Sequence, residues 1–382
     1  MPSSVVSRLR PTAVNSVLGE VRALQAQGVK VVSLMRGEPD FRTPEHIVEA
    51  AVRALRAGRT TYPDNRGEIK LRETIASQRG YDPAEILVTT GATLGIACAL
   101  TALLDPGDEV LLPDPIYDAY QSPIRMTGAE PRAVASHIDH GRFAISVESL
   151  EQAWSPKAKI LLLNTPWNPV GTVFREDELR AIGDFVLRRG LTLISDEIYE
   201  TITYAGARHI SPVTLSPELR ERIVLVNSLS KTYAMTGWRV GYCAAPKQII
   251  DAMFLVLQQS SRGPAMFVQD AAAEALTGPQ ECVEIMRAEY ARRRARVLEA
   301  LSGVPRITAM PPEGGFFTMV DTKGLGESSN ETRKRLLERH GVVVIHGAAY
   351  GQGGEGTLRV SFSSGATLED GLARLRAGLA EG

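Results

Sequence analysis

Cysteine is scarce: Cys98, Cys243 and Cys282 are the only three in 382 residues, and no CxxC pair occurs. Neither a zinc site nor a disulfide framework is indicated, no metal is expected, and a reducing cytoplasm suits such a chain. An excess of either charge is also missing. Against 43 basic residues stand 44 acidic ones, a formal net of −1, so no global field draws the protein to nucleic acid or to a membrane surface. No stretch approaches the roughly 18 consecutive apolar residues of a spanning helix, and the opening MPSSVVSRLRP lacks the apolar run of a secretory signal. The expectation is a protein neither exported nor membrane-embedded. Internal repeats, low-complexity tracts and Pro/Ser-rich linkers are absent too, which argues against a detachable module. What remains is ordinary globular composition, 44% hydrophobic and 23% charged, with length for two or three domains or one large α/β domain and a companion.

Short β-branched runs bounded by Gly, Pro or Asp alternate with longer segments of helical period, the pattern of strands joined by helical crossovers in a mostly parallel sheet. Strands are predicted at Glu85–Thr90, Asp108–Leu112, Lys159–Asn164, Leu191–Ser195, Ile223–Ser228 and Arg239–Ala244. Helices are predicted at Ala92–Leu104, Tyr117–Met126 and Glu176–Arg189. This block reads as a large doubly wound α/β domain, residues 46–265. After Ala265 come helices at Phe267–Leu276 and Glu281–Leu301, strands near Gly315–Val320, Val342–Ile345 and Thr357–Phe362, and a last helix. They read as a smaller α+β domain, residues 266–382. The opening helix Asn15–Gln27 and the segment Val31–Phe41 are too short to stand alone, so residues 1–45 are expected to pack on it.

Several motif matches lack their context. Gly351, Gly353 and Gly356 spell GxGxxG, but a strand-like TLRVSF follows where a dinucleotide site needs a helix. Ser228-Leu-Ser-Lys231 spells SxxK without the SDN and KTG partners of penicillin-recognising enzymes. The basic run Arg292–Arg296 lies in a helical segment with acids nearby and reads as a solvated face. HExxH and GxSxG do not occur.

Three strand ends remain. Gly91-Ala92-Thr93 joins a strand directly to a helix, so the free amides and positive dipole end of that helix can receive a phosphate. An apolar strand delivers Asp196 at its end, in the crevice where open α/β sheets bind ligands. Another ends in Asn227-Ser-Leu-Ser-Lys231, two hydroxyls beside a lysine. Taken singly these are a plain turn, a helix cap and a snorkelling lysine. Together they are an anion anchor, an acid for a pyridinium nitrogen and an amine for a Schiff base, which is what a pyridoxal-phosphate (PLP) enzyme must supply.

At this point the chain resembles a known family, the class I/II aminotransferases of PLP fold type I, and among them the bacterial aspartate-aminotransferase-like enzymes. The resemblance runs from about Arg8 to the last helix. It is carried by Gly37-Glu-Pro-Asp-Phe41 with Thr43-Pro-Glu-His46, Tyr62 before Gly67, Leu71-Arg-Glu73, Asp105-Pro-Gly-Asp-Glu-Val110, Asn168-Pro-Val-Gly171, Ser195-Asp-Glu-Ile-Tyr199, Ser230-Lys231 with Thr236-Gly-Trp-Arg-Val-Gly241, and Leu358-Arg-Val-Ser361.

The resemblance implies that Lys231 holds PLP covalently and, once displaced, moves the substrate's proton. It implies that Asp196 keeps the pyridine nitrogen protonated, that Tyr199 and Asn168 bond the ring's phenolic oxygen, and that Tyr117 stacks on the ring. The phosphate is to sit on the amides of Ala92 and Thr93 after Gly91, ringed by Thr93, Ser228, Ser230 and Arg239. Arg359 is to clamp the substrate α-carboxylate, helped by Asn168 and the backbone of Gly37. The family tyrosine matching Tyr62 reaches the other subunit's phosphate, which implies a homodimer with shared active sites. The sequence departs from the usual pattern at Arg36, Trp167, Val170 and His346, and Thr12-Ala-Val14 only partly matches the hydroxyl-bearing segment of aspartate-selective relatives. Arg36, just before Gly37, is a candidate reader of an acidic substrate side chain, and Arg66 is a second.

The expected activity is ping-pong transfer of an amino group from an L-amino acid to a 2-oxo acid, with aspartate or glutamate as candidate donors. The alternative is a fold-type-I lyase, decarboxylase or cyclase, since the cofactor carries the chemistry and the pocket selects which bond breaks. A PLP-sensing regulator needs an appended DNA-reading domain, for which the chain leaves no room.

Overall fold

The computed structural model describes residues 3–204 and 206–381; residues 1–2 and 382, the ends of the expected smaller domain, lie outside the described residues. Seven strands, β1 Ile86–Thr89, β2 Glu109–Asp114, β3 Glu130–Ala135, β4 Ala158–Asn164, β5 Thr192–Asp196, β6 Ile223–Ser228 and β7 Gly241–Ala244, form one sheet in the order β1-β7-β6-β5-β4-β2-β3. Only β7 is antiparallel to its neighbours. Six carboxyl ends and the start of β7 therefore share one edge. Register makes this concrete: Gly241 lies opposite both Thr89 and Ser228, and Asn164 opposite Asp196. The inner strands β4, β5 and β6 are buried almost throughout, with apolar centres, because helices cover both faces.

The longer helices are α1 Ala13–Ala26, α2 Glu45–Arg56, α3 Ile69–Arg79, α4 Ala92–Leu103, α5 Glu176–Arg189, α6 Lys247–Ser260, α7 Met266–Thr277, α8 Glu281–Leu301, α9 Ser329–His340 and α10 Leu368–Glu381. α5 shows how the sequence marks their ends. It opens on Glu176, Asp177 and Glu178, closes on Arg188 and Arg189, and stops at Gly190 with φ 65°, so its charges oppose the helix dipole and a left-handed glycine ends it. α4 and α6 fill one face of the sheet with Ile96, Leu100, Ile250 and Met253. α2, α3, α5 and α7 fill the other with Ile47, Ile75, Phe185 and Ala272.

A second sheet, in the order β8 Thr308–Ala309, β9 Phe317–Asp321, β11 Thr357–Ser361 and β10 Ile345–His346, is antiparallel throughout. It packs with α8, α9 and α10 around Tyr290, Phe316, Phe362, Leu336 and Leu375. The short strand Val32–Ser33 pairs with Val342–Val343, and α1 packs Val17 and Val21 against Val343 and Ile345.

Some sequence expectations change here. Val342–Ile345 is not one strand: its first half pairs with Val32–Ser33 and Ile345–His346 pairs with β11. Tyr117–Met126 is a short 3₁₀ turn, Asp118–Tyr120, followed by a helix from Gln121. Ala271, Ala272 and Ala275 of α7 pack with Ile47 and Leu71 in the core of the large sheet. We accordingly move the proposed domain division from 265/266 to the loop after Thr277. GxGxxG is a turn, with Gly353 N–H donating to Asp114 Oδ2 at 3.0 Å. Arg292, Arg293 and Arg296 on α8 are paired with Glu289, Asp40, Glu299 and Glu369. No helix among the described residues is long and apolar enough to cross a membrane.

Candidate active site

The shared sheet edge opens into a cavity of about 330 Å³. β1 leads through Gly91 into α4, and no side chain caps that helix. Gly91 has φ 86°, and a Cβ there would lie 2.5 Å from an Arg239 nitrogen, so both the turn and the arginine's approach require glycine. A Cβ on Gly241 would lie 2.9 Å from Ala92 N. The turn is thus pressed against β7, leaving first-turn amides, the Thr93, Ser228 and Ser230 side chains and Arg239 on one wall. Ser228 Oγ and Ser230 Oγ are 2.9 Å apart, and Arg239 Nη1 donates to Thr236 O at 2.9 Å. Helix amides, hydroxyls and a guanidinium together suit a dianion at a helix N-terminus.

Lys231 follows β6, and its Nζ donates to Gly37 O at 2.6 Å. Burial, with the cations Arg239 and Arg359 nearby, lowers its pKa to about 8 despite the opposing pull of Glu38 and Asp196. Asp196 at the end of β5 is buried, and burial pushes its pKa up to about 6, with Glu197 adding to the rise. Tyr120 O–H donates to Asp196 Oδ2 at 2.5 Å and Ile198 N–H to Oδ1 at 3.3 Å, both favouring the carboxylate. Asn164 holds the next loop, its Oδ1 accepting Asn168 N–H at 2.7 Å while its amide donates to Asp196 O at 2.9 Å.

Arg359 projects from β11 and is buried. Its Nη2 donates to Met35 O at 2.6 Å and Nη1 reaches Asn168 Oδ1 at 3.5 Å, while Nε has no partner. Its guanidinium lies 4.3 Å from the Phe317 ring centre and 5.1 Å from that of Tyr350. A buried arginine held by aromatic faces with an unused N–H is poised for a carboxylate.

Ala92, Thr93, Tyr117, Asn168, Asp196, Tyr199, Ser228, Ser230, Lys231, Arg239, Arg359 and Gly37 all line this one cavity. Tyr62 and Arg36 do not. Tyr62 is 85% exposed. Arg36 is exposed and pairs with no acid among the described residues. It is the Arg36 carbonyl that is used, accepting from Ser361 and Ser363 hydroxyls. Arg66 is committed elsewhere, to Asp251 at 2.8 Å and to the Phe254 ring. Sequence reasoning missed Tyr120, Asn164, Phe317, Tyr350 and Asp118. Asp118 lines the cavity and accepts Ala13 N–H at 2.5 Å, fixing the start of α1 at its mouth. The three-residue spacing of Tyr117 and Tyr120 was the available signal for the first of these.

The family model for aminotransferase class I and II matches residues 29–375. The chain belongs to this family. Aspartate aminotransferase of Geobacillus stearothermophilus is 37% identical over 357 residues, 91% of each chain. Aromatic-amino-acid aminotransferase 2 of Thermococcus litoralis is 37% identical over 95% of this chain and 96% of its own. The structure of Thermus thermophilus aspartate aminotransferase with maleate superposes with a TM-score of 0.92 at 36% identity, covering 100% of this chain and 99% of that one. The chain is thus a PLP-dependent aminotransferase of fold type I, transferring an amino group between an L-amino acid and a 2-oxo acid. Its cavity fits the cofactor: uncapped helix amides and hydroxyls for a phosphate, a buried acid, and an amine of lowered pKa.

Proposed function

We propose that this aminotransferase takes dicarboxylic amino acids such as aspartate or glutamate as donors in amino-acid metabolism, acting in the cytoplasm as a homodimer with shared sites. The cavity carries the reading of the chemistry, and the names of the Geobacillus and Thermus relatives support the donor class. PLP supplies an aldehyde for the substrate amine and an electron-withdrawing ring. Ala92, Thr93, Ser228, Ser230 and Arg239 would hold its phosphate, Asn168 and Tyr199 its phenolic oxygen, and Tyr117 would cover a ring face. Asp196 would hold a proton at the ring nitrogen, since a carboxylate beside a cation raises the cation's pKa. Arg359 orients the donor by its α-carboxylate. Lys231, its pKa lowered to about 8 so that a share of it is free amine near physiological pH, takes the proton from the donor's α-carbon. The exposure of Tyr62 supports its service to a second subunit.

A neutral or aromatic donor is the second reading. The cavity's cations, Lys231, Arg239 and Arg359, all have other tasks, and it contains the acid Asp118. The Thermococcus relative carries an aromatic name. A half-reaction screen decides: absorbance conversion by aspartate and glutamate far faster than by phenylalanine or alanine supports the first reading, and the reverse order overturns it. Reversal by a 2-oxo acid, without release of ammonia or CO2, excludes the lyase and decarboxylase chemistry that the relatives do not favour.

A further inference from the structure

The cavity is shared between the two sheets. Arg359 stands on β11 of the second, whereas Tyr117, Asn168 and Lys231 follow strands of the first. Whatever fixes one sheet edge against the other therefore fixes the clamp against the cofactor's wall. The carboxyl end of β2 makes such a join over four consecutive residues. Asp114 Oδ2 accepts Gly353 N–H at 3.0 Å, Pro115 O accepts Trp167 Nε1–H at 2.9 Å, Ile116 N–H donates to Tyr350 O at 2.5 Å, and Tyr117 lines the cavity. The Arg359 guanidinium lies over the Tyr350 ring, 5.1 Å from its centre.

We propose that Asp114 is a positioning residue for Arg359: by gripping the turn 351–354 it sets the Tyr350 ring against the guanidinium, and so sets the affinity for the donor. The proposal rests on the reading of Arg359 as the clamp for the donor's α-carboxylate.

Asp114 is buried, 6% exposed. Burial raises its pKa, and what opposes the rise is the pair of amides of Gly353 and Gln352, not a cation. A carboxylate in such a place is costly unless its hydrogen bonds are made. The turn is shaped around it. A Cβ on Gly351, where φ is 120°, would lie 2.2 Å from Asp114 Oδ1, and one on Gly353 would lie 3.0 Å from Asp114 O, so the first two glycines of GxGxxG serve the close approach of this residue. The backbone of Asp114 is held in turn, its carbonyl accepting the Ser136 hydroxyl from beyond β3. The Ile116–Tyr350 bond alone fixes a point about which the turn can pivot; the Asp114–Gly353 bond, three residues on, fixes its orientation. Ala348 N–H donates to Ser329 Oγ at 3.4 Å and Thr357 Oγ1 to Gly354 O at 2.5 Å, but both bonds stay on the second sheet's side and leave that orientation free. Tyr350 is fully buried among Val17, Met35 and Ile345, and its hydroxyl has no hydrogen-bond partner among the described residues. The ring therefore acts by its face, on which a guanidinium rests.

The test is the donor half-reaction of the full-length holoenzyme, read as half-saturating concentration and limiting rate, with L-aspartate, L-phenylalanine and phenethylamine, which lacks the carboxylate. Asp114→Ala should raise half-saturation about tenfold for both amino acids, change the limiting rate by less than about threefold, and leave the slow reaction of the amine and the PLP affinity as in wild type. Asp114→Asn keeps an oxygen for Gly353 N–H and should restore most of the affinity. Tyr350→Leu should weaken both amino acids, and Asp114→Ala added to it should weaken them little further. An unchanged half-saturation in Asp114→Ala, an equal loss with the amine, or additive effects of the two substitutions overturns the proposal. Should Asp114→Ala not fold, an unchanged half-saturation in Tyr350→Leu overturns it alone. Arg359→Leu separates the two layers. Wild-type half-saturation there would sink the clamp assignment and this inference with it, whereas a loss there with wild-type behaviour in Asp114→Ala sinks only this inference.

Discussion

Replacing Lys231 by Met should stabilise the cofactor-free protein at neutral pH while abolishing turnover. The amine is held among Arg239 and Arg359 with one carbonyl partner, Gly37 O at 2.6 Å. A fall in pKa from 10.5 to about 8 means that burying the charged form costs about 3 kcal/mol. Loss of the Gly37 hydrogen bond returns about 1 kcal/mol, leaving a net gain of about 2 kcal/mol for Lys231→Met. The sign follows from proton counts. Between pH 8 and 10.5 the unfolded chain binds the proton that the folded one has released, so wild-type stability climbs with pH across that window. Below pH 8 the penalty is complete, and above 10.5 it is gone. Urea unfolding of both cofactor-free proteins from pH 7 to 10.5 measures the difference directly, and other titrating groups cancel in it. A variant no more stable than wild type at pH 7, or a difference that stays constant with pH, would refute the reasoning.

Asp196→Asn should retain PLP yet lose several kcal/mol of transition-state stabilisation, read as kcat; near-normal turnover would show that another group partners the ring. Mixing Lys231→Ala with an inactive Tyr62 variant should regenerate activity through heterodimers with one intact site, and no recovery despite proven subunit exchange counts against a shared site. Arg36→Ala should change KM for acidic and neutral donors alike and only slightly, because its side chain lies outside the cavity. A selective rise for acidic donors would return Arg36 to substrate reading.

Strand positions were legible wherever a strand is buried on both faces. ILLLN and IVLVN are apolar runs closed by polar residues, and those closing residues are the ones delivered to the cavity. β3, EPRAVA, escaped notice because it is an edge strand containing Pro131 and showing no alternation. Residues named through family motifs mostly converge on one cavity, since such motifs record backbone turns as well as side chains. Arg36 is the instructive exception. Its position beside Gly37 was right, but past the short strand Val32–Ser33 the chain leaves the side chain exposed and turns the carbonyl inward to the Ser361 and Ser363 hydroxyls. Tyr120 was hard to see because its hydroxyl bonds Asp196 from 76 residues away, and its spacing from Tyr117 was the one local signal.

The hydrogen bonds of Lys231 to Gly37 and of Arg359 to Met35 join residues 194 and 324 positions apart. Closing such spans carries its entropic cost before any cofactor contact repays it, so these are among the last native contacts to form. On a ribosome, Lys231 emerges well before Arg359 and waits without its completed surroundings. Tight cofactor capture is therefore a certificate of finished folding: a nascent or truncated chain that has built the seven-stranded sheet still lacks the β11 arginine. Appearance of the bound-cofactor absorbance during refolding should trail the recovery of helical signal, and the interval between them times the arrival of the chain's last sheet at the first.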